Sequence, residues 1–525
     1  MAESLRPSGF FVLRAPLLPW EELDRLRVDP HYAHDLAARP AVTEALHLAS
    51  PALLRRWAAG APDPRMTAAV TAYLVRMCSR ATPFGLFASC ATGMVGDTTA
   101  LVVDGIDGTM RHSRPDTAVL ATLVERLLAD PQTRARMIVE PNSSRYRAAG
   151  AWRLIDSRVH DGHRSHHLVV VEDDAALQSA LRAASGGATV DAVVEAVSSE
   201  TGFDPDEVRG YVDALVDAQV LTAMAEPAVT GPEPLAHVTA ALRRQGFADT
   251  VEVLDRVAAE LTALDAAGLG NRPDAYAALS ETLLELAGGG DESRLVQVDL
   301  HRAGSGLTLG GDVVRQLAEG IALLHRVAPT AQNASLHRFK EAFRARYEDR
   351  AVPLMEALDE EMGVGFNPSK HPAADQSPLL AGIDLGGLPP DGSFTPRDAV
   401  LLDLLIRTRE SGVASLELDA DTVARLATAE QLPLPDALAV TATVLDDGIE
   451  ILNVYGPSGA QLLGRFCHGD PRLAAAVREH LRAEEAKAPG VVFAEVVHLP
   501  EGRIGNILAR PVLRDHELVL LGRSG

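Results

Sequence analysis

Residues 76–87 read RMCSRATPFGLF, and they mark a place where a helix has to stop. Upstream, Met66, Val70, Leu74 and Met77 fall at i, i+4, i+8 and i+11, one apolar stripe of a core-facing helix. Thr82 precedes Pro83, and a proline ring pushes the residue before it out of the α region. The chain must leave the helix there and turn through Pro-Phe-Gly. Arg76 and Arg80 lie one helical turn apart and away from the stripe. On an exposed helix such like charges repel by about 0.2–0.5 kcal/mol. Cations in a last turn complement the helix dipole, which accounts for either arginine. The alternative is an anion site, with two guanidiniums and the Thr82 hydroxyl converging on a phosphate or carboxylate.

Other charges stand in unexpected places. Arg14 ends the apolar run FFVLRAP, and Asp299 sits inside the strand-like LVQVDL. Such charges are costly unless paired. Arg111, Arg114 and Asp116 precede a helical pattern, with Asp116 at the N-cap position. Arg465 follows Gly464 in LLGRF. Together these residues suggest one buried polar cluster.

The chain has 525 residues, 47% hydrophobic and 23% charged, enough for several domains with a sizeable core. The net charge of −23 argues against a generic nucleic-acid binder, but leaves room for a local basic pocket. Cys78, Cys90 and Cys467 show neither disulfide nor zinc spacing. No signal peptide or membrane-length apolar run is present, so the expected location is the cytoplasm. No phosphate-binding glycine loop, nucleophile elbow or HExxH occurs. GSGLTLGG at 304–311 reads as a strand-to-helix turn. His160, His163, His166 and His167 crowd a hairpin turn, but lack a second shell, and no metal is expected there.

Residues 145–222 read as a module. The strands AAGAWRLID and HLVVVED are joined by a polar turn, and three helices follow, with Thr189 and Asp204 as N-caps. Val208, Val212, Leu215 and Val216 form a core stripe. Strands then three helices is a winged-helix pattern. AEPAVTGPEP closes the module as a linker, and 386–398 is a second linker candidate. Helices are expected over 311–327 and 332–349.

Taken in order, FFVLRAPLLP, YLVRMCSRATPFGLFASCATG, RHSRPDTAVL, the 145–222 module, RFKEAFRARYEDRAVPLMEALDEEMGVG and AEVVHLPEGRIGNILARPVLRDHEL resemble one family. It is the N-terminal, glutamylation domain of class I lantibiotic (lanthipeptide) dehydratases. The resemblance implies an α+β fold of several subdomains with an embedded winged-helix-like peptide-recognition element. Residues 1–144 would begin the glutamylation domain, 145–225 form the recognition element, and 226–525 supply the remainder, stopping short of the family's usual end.

The resemblance also implies a reaction. Glutamate passes from glutamyl-tRNA, the co-substrate, to Ser and Thr side chains of a ribosomal precursor peptide. The aminoacyl ester stores the energy, which fits a chain without an ATP loop. The residues matching the family's site are Arg14, Arg76, Arg80, Thr82, Asp116, Asp299 and Arg465, with Asp299 or Asp116 as candidate base. Arg76, Arg80, Arg111 and Arg114 are the expected tRNA ligands. A leader peptide would add as a strand beside HLVVVED, in a groove lined by Leu168, Val169, Val170, Val212 and Leu215. No bound cofactor or metal is implied. The expected partners are a separate elimination-domain protein, a polypeptide completing the glutamylation domain, and further copies or subunits. Two other functions remain open: a peptide aminoacyl-tRNA ligase extending a peptide C-terminus, and a non-catalytic leader-binding scaffold.

Overall fold

The computed structural model describes residues 5–29, 31–60, 63–160, 163–304, 306–328, 334–366, 394–413, 416, 418–427, 432–499 and 504–525. Its central sheet contains β1 (Phe10–Pro16), β2 (Ala88–Gly96), β3 (Thr109–Pro115), β4 (Val296–Arg302) and β5 (Thr308–Gly310). The order is β1-β2-β4-β3, with β5 also beside β2. β1 and β2 are antiparallel, β2 and β4 parallel, and β4 and β3 antiparallel.

Successive side chains of a strand point to opposite faces, so the register sorts this sheet into two surfaces. Arg14 lies opposite Cys90, Cys90 beside His301, and Asp299 opposite His112, giving one polar face. Val298 and Leu300 point the other way, into a core with Leu36, Val42, Leu74 and Met77 from the N-terminal helices.

The helix carrying the opening stripe, α1 (Pro64–Ser79), packs on that apolar face. Asp63 caps it, its Oδ1 accepting from the Met66 N–H at 2.7 Å. Met66, Val70, Leu74 and Met77 are all buried, as the spacing predicts. The helix ends at Ser79, three residues before Thr82, and Arg80 is already extended. The early stop gives the chain room to bring Leu86 and Phe87 into the core. Gly85 makes the turn at φ +52°, a region costly to residues with a Cβ. After β3, Asp116 caps α2 (Thr117–Ala129).

The 145–225 segment holds a hairpin, Ala151–His160 and His163–Val171, and helices Ala175–Ala183, Val190–Thr201 and Pro205–Asp217. Thr189 and Asp204 cap the last two helices. The segment has its own core, which includes Leu154, Leu177, Val193, Val212 and Leu215. The expected linker Ala225–Pro234 is no tether. Ala228, Val229 and Thr230 are buried, and Val229 and Gly231 donate to the Arg523 and Arg510 carbonyls. A chain crossing the interior has to satisfy its backbone groups in this way. Of the second candidate linker, 386–393 lie outside the described residues, and Thr395 forms the capping box of a helix, Pro396–Ser411.

The chain folds as two compact units. The larger comprises Ser8–Gly310 and Ala460–Gly525, and Gly311–Gly459 form the smaller with the N-terminal residues to Pro7. The sequence reading placed no boundary at 311 or 459. The smaller unit has helices Gly311–Val327 and Ala334–Tyr347, near the predicted bounds, and a hairpin, Ala439–Leu445 with Gly448–Tyr455. Val327, Leu404, Val423 and Leu426 are its core. Among the described residues no helix is long and apolar enough to cross a membrane.

Candidate active site

The polar face of the sheet is built around Asp299, which is 1% exposed. Its Oδ2 accepts from Arg114 Nη1 at 2.7 Å, and its Oδ1 from Arg465 Nη2 at 2.5 Å. Burial pushes the carboxyl upward, but the Arg114 and Arg465 guanidiniums overcome it and hold the group below the usual carboxylate range. An ionised carboxylate with both oxygens engaged is a weak base. Its geometry suits the holding of two arginines rather than proton abstraction.

Arg114 Nη2 also donates to the Asn506 carbonyl at 2.9 Å, and Asn506 Oδ1 accepts from the Thr117 N–H and hydroxyl. Asp116 is fully buried. Its Oδ1 caps α2 through the Ala118 N–H, and its Oδ2 accepts from Gln297 Nε2 at 3.0 Å. Capping is its visible role. Arg14, half-buried on β1, lies opposite Cys90. Burial raises the Cys90 thiol to about 12, and the opposing Arg14 guanidinium does not offset it, so Cys90 is no thiolate nucleophile.

The segment 463–470, LGRFCHGD, covers this face. It supplies Arg465, and the Phe466 ring stands edge-on to His301 at 6.3 Å. Asp470 Oδ2 accepts from the Thr92 hydroxyl at 3.0 Å. A Cβ on Gly469 would sit 2.5 Å from His301 Nε2 and 2.9 Å from His112 Cβ, so only glycine allows this approach. His301 is 2% exposed, and neither ring nitrogen has a partner among the described residues. Burial lowers its pKa, so the ring is neutral near pH 7. Glu233 Oε1 lies 2.7 Å from His112 Nε2 and 3.1 Å from His468 Nδ1. Burial raises the Glu233 pKa, but the His112 hydrogen bond and the two imidazoles bring it below the ordinary value. The sequence reading missed His112, Glu233, His301, His468 and Asn506, since none falls in a spaced motif.

Arg111 needs correction. It lies on β3 three residues from Arg114, so the strand turns it to the other face. Its side chain has no exposed surface and pairs with Glu44 and with Asp265 at 3.0 Å. Tyr276 and Ser113 oxygens take further N–H groups at 2.9 Å. Every direction is filled by protein, so no tRNA phosphate can reach it.

Arg76 and Arg80 line one groove of about 770 Å³ along the outer side of α1, with Thr67, Thr71 and Ser79. The Arg76 guanidinium stands over the Phe84 ring at 5.0 Å, and its Nε has no partner among the described residues. Thr82 is exposed and is not among the residues lining that groove. The predicted corner thus forms from the two arginines without the hydroxyl. No described contact joins them to Asp299.

In the 145–225 segment, Leu168 and Val170 are 38% and 53% exposed, on an edge strand of the hairpin sheet. Val169 packs inward. Val212 and Leu215 correct the groove expectation, since they are 0% and 5% exposed in the segment's own core. The stripe that predicts a core cannot also line an open groove. The side chains of His160 and His163 lie outside the described residues, and no metal-holding group of three or more His, Cys, Asp or Glu occurs among those described.

The family described as lantibiotic dehydratase, N terminus, matches residues 38–525. The chain belongs to this family. The chain is also 21% identical over 541 residues to the subtilin biosynthesis protein SpaB of Bacillus subtilis, covering 99% of this chain and 51% of SpaB. Its fold is similar to the crystal structure of the tRNA dependent lantibiotic dehydratase MibB from Microbispora sp. 107891. The TM-score there is 0.74 at 24% identity, with 98% of this chain and 51% of MibB covered. It is similar as well to TbtB, the glutamylation domain from thiomuracin biosynthesis, with TM-score 0.61 at 19% identity, covering 97% of this chain and 64% of TbtB. The chain therefore spans about half the length of the curated relative it matches. These likenesses carry the mixed helix-and-sheet dehydratase fold over to this chain.

Proposed function

We propose that this chain transfers glutamate from glutamyl-tRNA to Ser and Thr hydroxyls of a ribosomally made precursor peptide. The observation that carries the reading is the Arg114–Asp299–Arg465 cluster, buried on the central sheet of a dehydratase fold. Two guanidiniums held by one carboxylate present fixed positive charge where an ester carbonyl gains negative charge. The peptide hydroxyl oxygen bonds to the glutamyl carbonyl carbon, and the ester bond to the terminal ribose breaks. The hydroxyl proton is balanced by the one the ribose oxygen regains. Arg76 and Arg80 would hold phosphates near the tRNA 3′ end from their groove, and Arg14 would add charge from β1. Thr82 and Asp116 stay in the proposed site as positioning groups.

The precursor's leader would pair with the edge strand His163–Val171, seating side chains on Leu168 and Val170. The Leu168→Asp, Val170→Asp double variant should weaken peptide affinity at least tenfold while leaving the melting temperature unchanged. Unchanged peptide affinity would remove the groove. The reaction sits in the cytoplasm, where charged tRNA is available. Partner polypeptides, one with an elimination activity among them, would act with this chain.

The test is reconstitution with precursor peptide, tRNA, glutamate and its synthetase, with and without such partner polypeptides, read by peptide mass. A tRNA-dependent glutamyl adduct should form and fall at least a hundredfold in Arg80→Ala. An adduct on the peptide C-terminus that needs ATP beyond charging would instead indicate a ligase. Leader binding with no adduct under any condition would leave only a scaffold.

A further inference from the structure

The helix Ala334–Tyr347 of the smaller unit carries a net charge of +3 in this acidic protein. It reads ASLHRFKEAFRARY, with Arg338, Lys340, Arg344 and Arg346 against one carboxylate, Glu341. Over the whole chain, by contrast, 72 acidic residues outnumber 49 basic ones. Many arginines elsewhere pair with carboxylates, as Arg514 does with Glu484 and Glu485. On this helix Glu341 lies 3.2 Å from His337 instead. Lys340 and Arg344 are exposed, and no hydrogen bond or ion pair engages their side chains among the described residues. They stand at i, i+4, where like charges repel. In a chain with carboxylates to spare, that repulsion is left unrelieved.

Tyr347, at the end of the helix, is buried. Phe339, Phe343, Tyr347 and Phe366 form a chain of ring contacts at 5.0–6.0 Å on its inner side. Arg346 donates to the Met362 and Gly363 carbonyls at 2.6 and 2.8 Å. The cations therefore project from a helix held at its C-terminal end.

We infer that the Lys340–Arg344 face is a docking surface for the sugar–phosphate backbone of tRNA. This rests on the proposed use of glutamyl-tRNA. Charge complementarity selects the occupant, because a polyanion gains from unpaired cations and releases its own counterions on contact. Phosphate contacts of this kind position an RNA without reading its sequence. They account for how a body of charge −23 can hold an anionic co-substrate.

The test uses the full chain with uncharged tRNA, and with polyglutamate as an acidic-protein probe, each titrated with salt. Lys340→Glu with Arg344→Glu should weaken tRNA binding at least tenfold at low salt. The slope of log affinity against log salt should shrink by about 1 per cation. Melting should be unchanged, and Arg256→Glu, an exposed arginine of the larger unit, should bind as the parent does. Equal tRNA affinity and slope in the double variant would overturn the proposal, as would an equal loss in Arg256→Glu. A dependence seen with polyglutamate and not with tRNA would assign the face to an acidic protein. If tRNA binding needs Lys340 and Arg344 but no glutamyl adduct ever forms, the transfer reading fails and the RNA surface stands. If adduct forms and the double variant behaves as the parent, only the surface fails.

Discussion

Asp299→Asn is expected to cost about 3–5 kcal/mol of stability, the penalty for breaking a buried ion pair by removing one partner. The carboxylate is 1% exposed, and its two guanidiniums are 7% and 16% exposed, so solvent cannot replace the lost charge. Glutamyl transfer should fall below detection in the same variant. Chemical denaturation and the reconstituted reaction check the two effects. Replacing Asp299, Arg114 and Arg465 together by apolar residues of similar volume should recover much of the stability, because no stranded charge remains. It should recover no transfer. A parent-like melting curve for Asp299→Asn would remove the triad as a structural clamp. The pH dependence has a defined sign. The folded-state pKa lies below the ordinary 3.8, so the contribution is complete above that value and lost as pH falls through the folded pKa. The variant should lack that acid limb.

Glu44→Ala should be more damaging still. Glu44 has no exposed surface. It pairs with Arg111, accepts from the Tyr276 hydroxyl at 2.5 Å, and takes the Gly270 and Asn271 N–H groups at 2.7 and 3.1 Å. Losing it leaves the fully buried Arg111 guanidinium with Asp265 as its remaining carboxylate, at up to about 3–5 kcal/mol. Each orphaned N–H adds about 1–3 kcal/mol. The sum approaches a whole domain's stability of about 5–15 kcal/mol. The purified variant should show no cooperative unfolding transition in the larger unit. Arg111→Ala should fail in the same way, through folding rather than tRNA affinity. A well-folded Arg111→Ala with selectively weakened tRNA binding would restore the earlier expectation for that residue.

What was legible in the chain was local. The buried stripe of α1 and the N-caps Asp116, Thr189 and Asp204 depend on neighbours within a few residues, which spacing reports directly. The meeting of Arg114 and Arg465 on Asp299 spans 185 and 166 residues, and no local pattern encodes it. The separation of Arg111 from Arg114 was readable, since an odd offset on a strand reverses the face. Reading both as one basic patch ignored that parity. Val212 and Leu215 were assigned two incompatible roles, and burial settles which holds. The proline-and-glycine rule failed at Ala225–Pro234 because composition marks a break in regular structure, not exposure to water. His301 stayed hidden because a single histidine in a strand has no spacing to betray it.

The larger unit is interrupted by the smaller one, and this sets a timetable on the ribosome. Asp299 is synthesised 166 residues before Arg465. At a synthesis rate of about 5–20 residues per second, the carboxylate waits roughly 8–33 s for its second guanidinium. Through that interval the nascent sheet has Arg114 in hand, while the 463–470 cover has yet to be made. A chain halted between 311 and 459 would hold the Arg76–Arg80 groove, the Leu168–Val170 edge and half of a clamp.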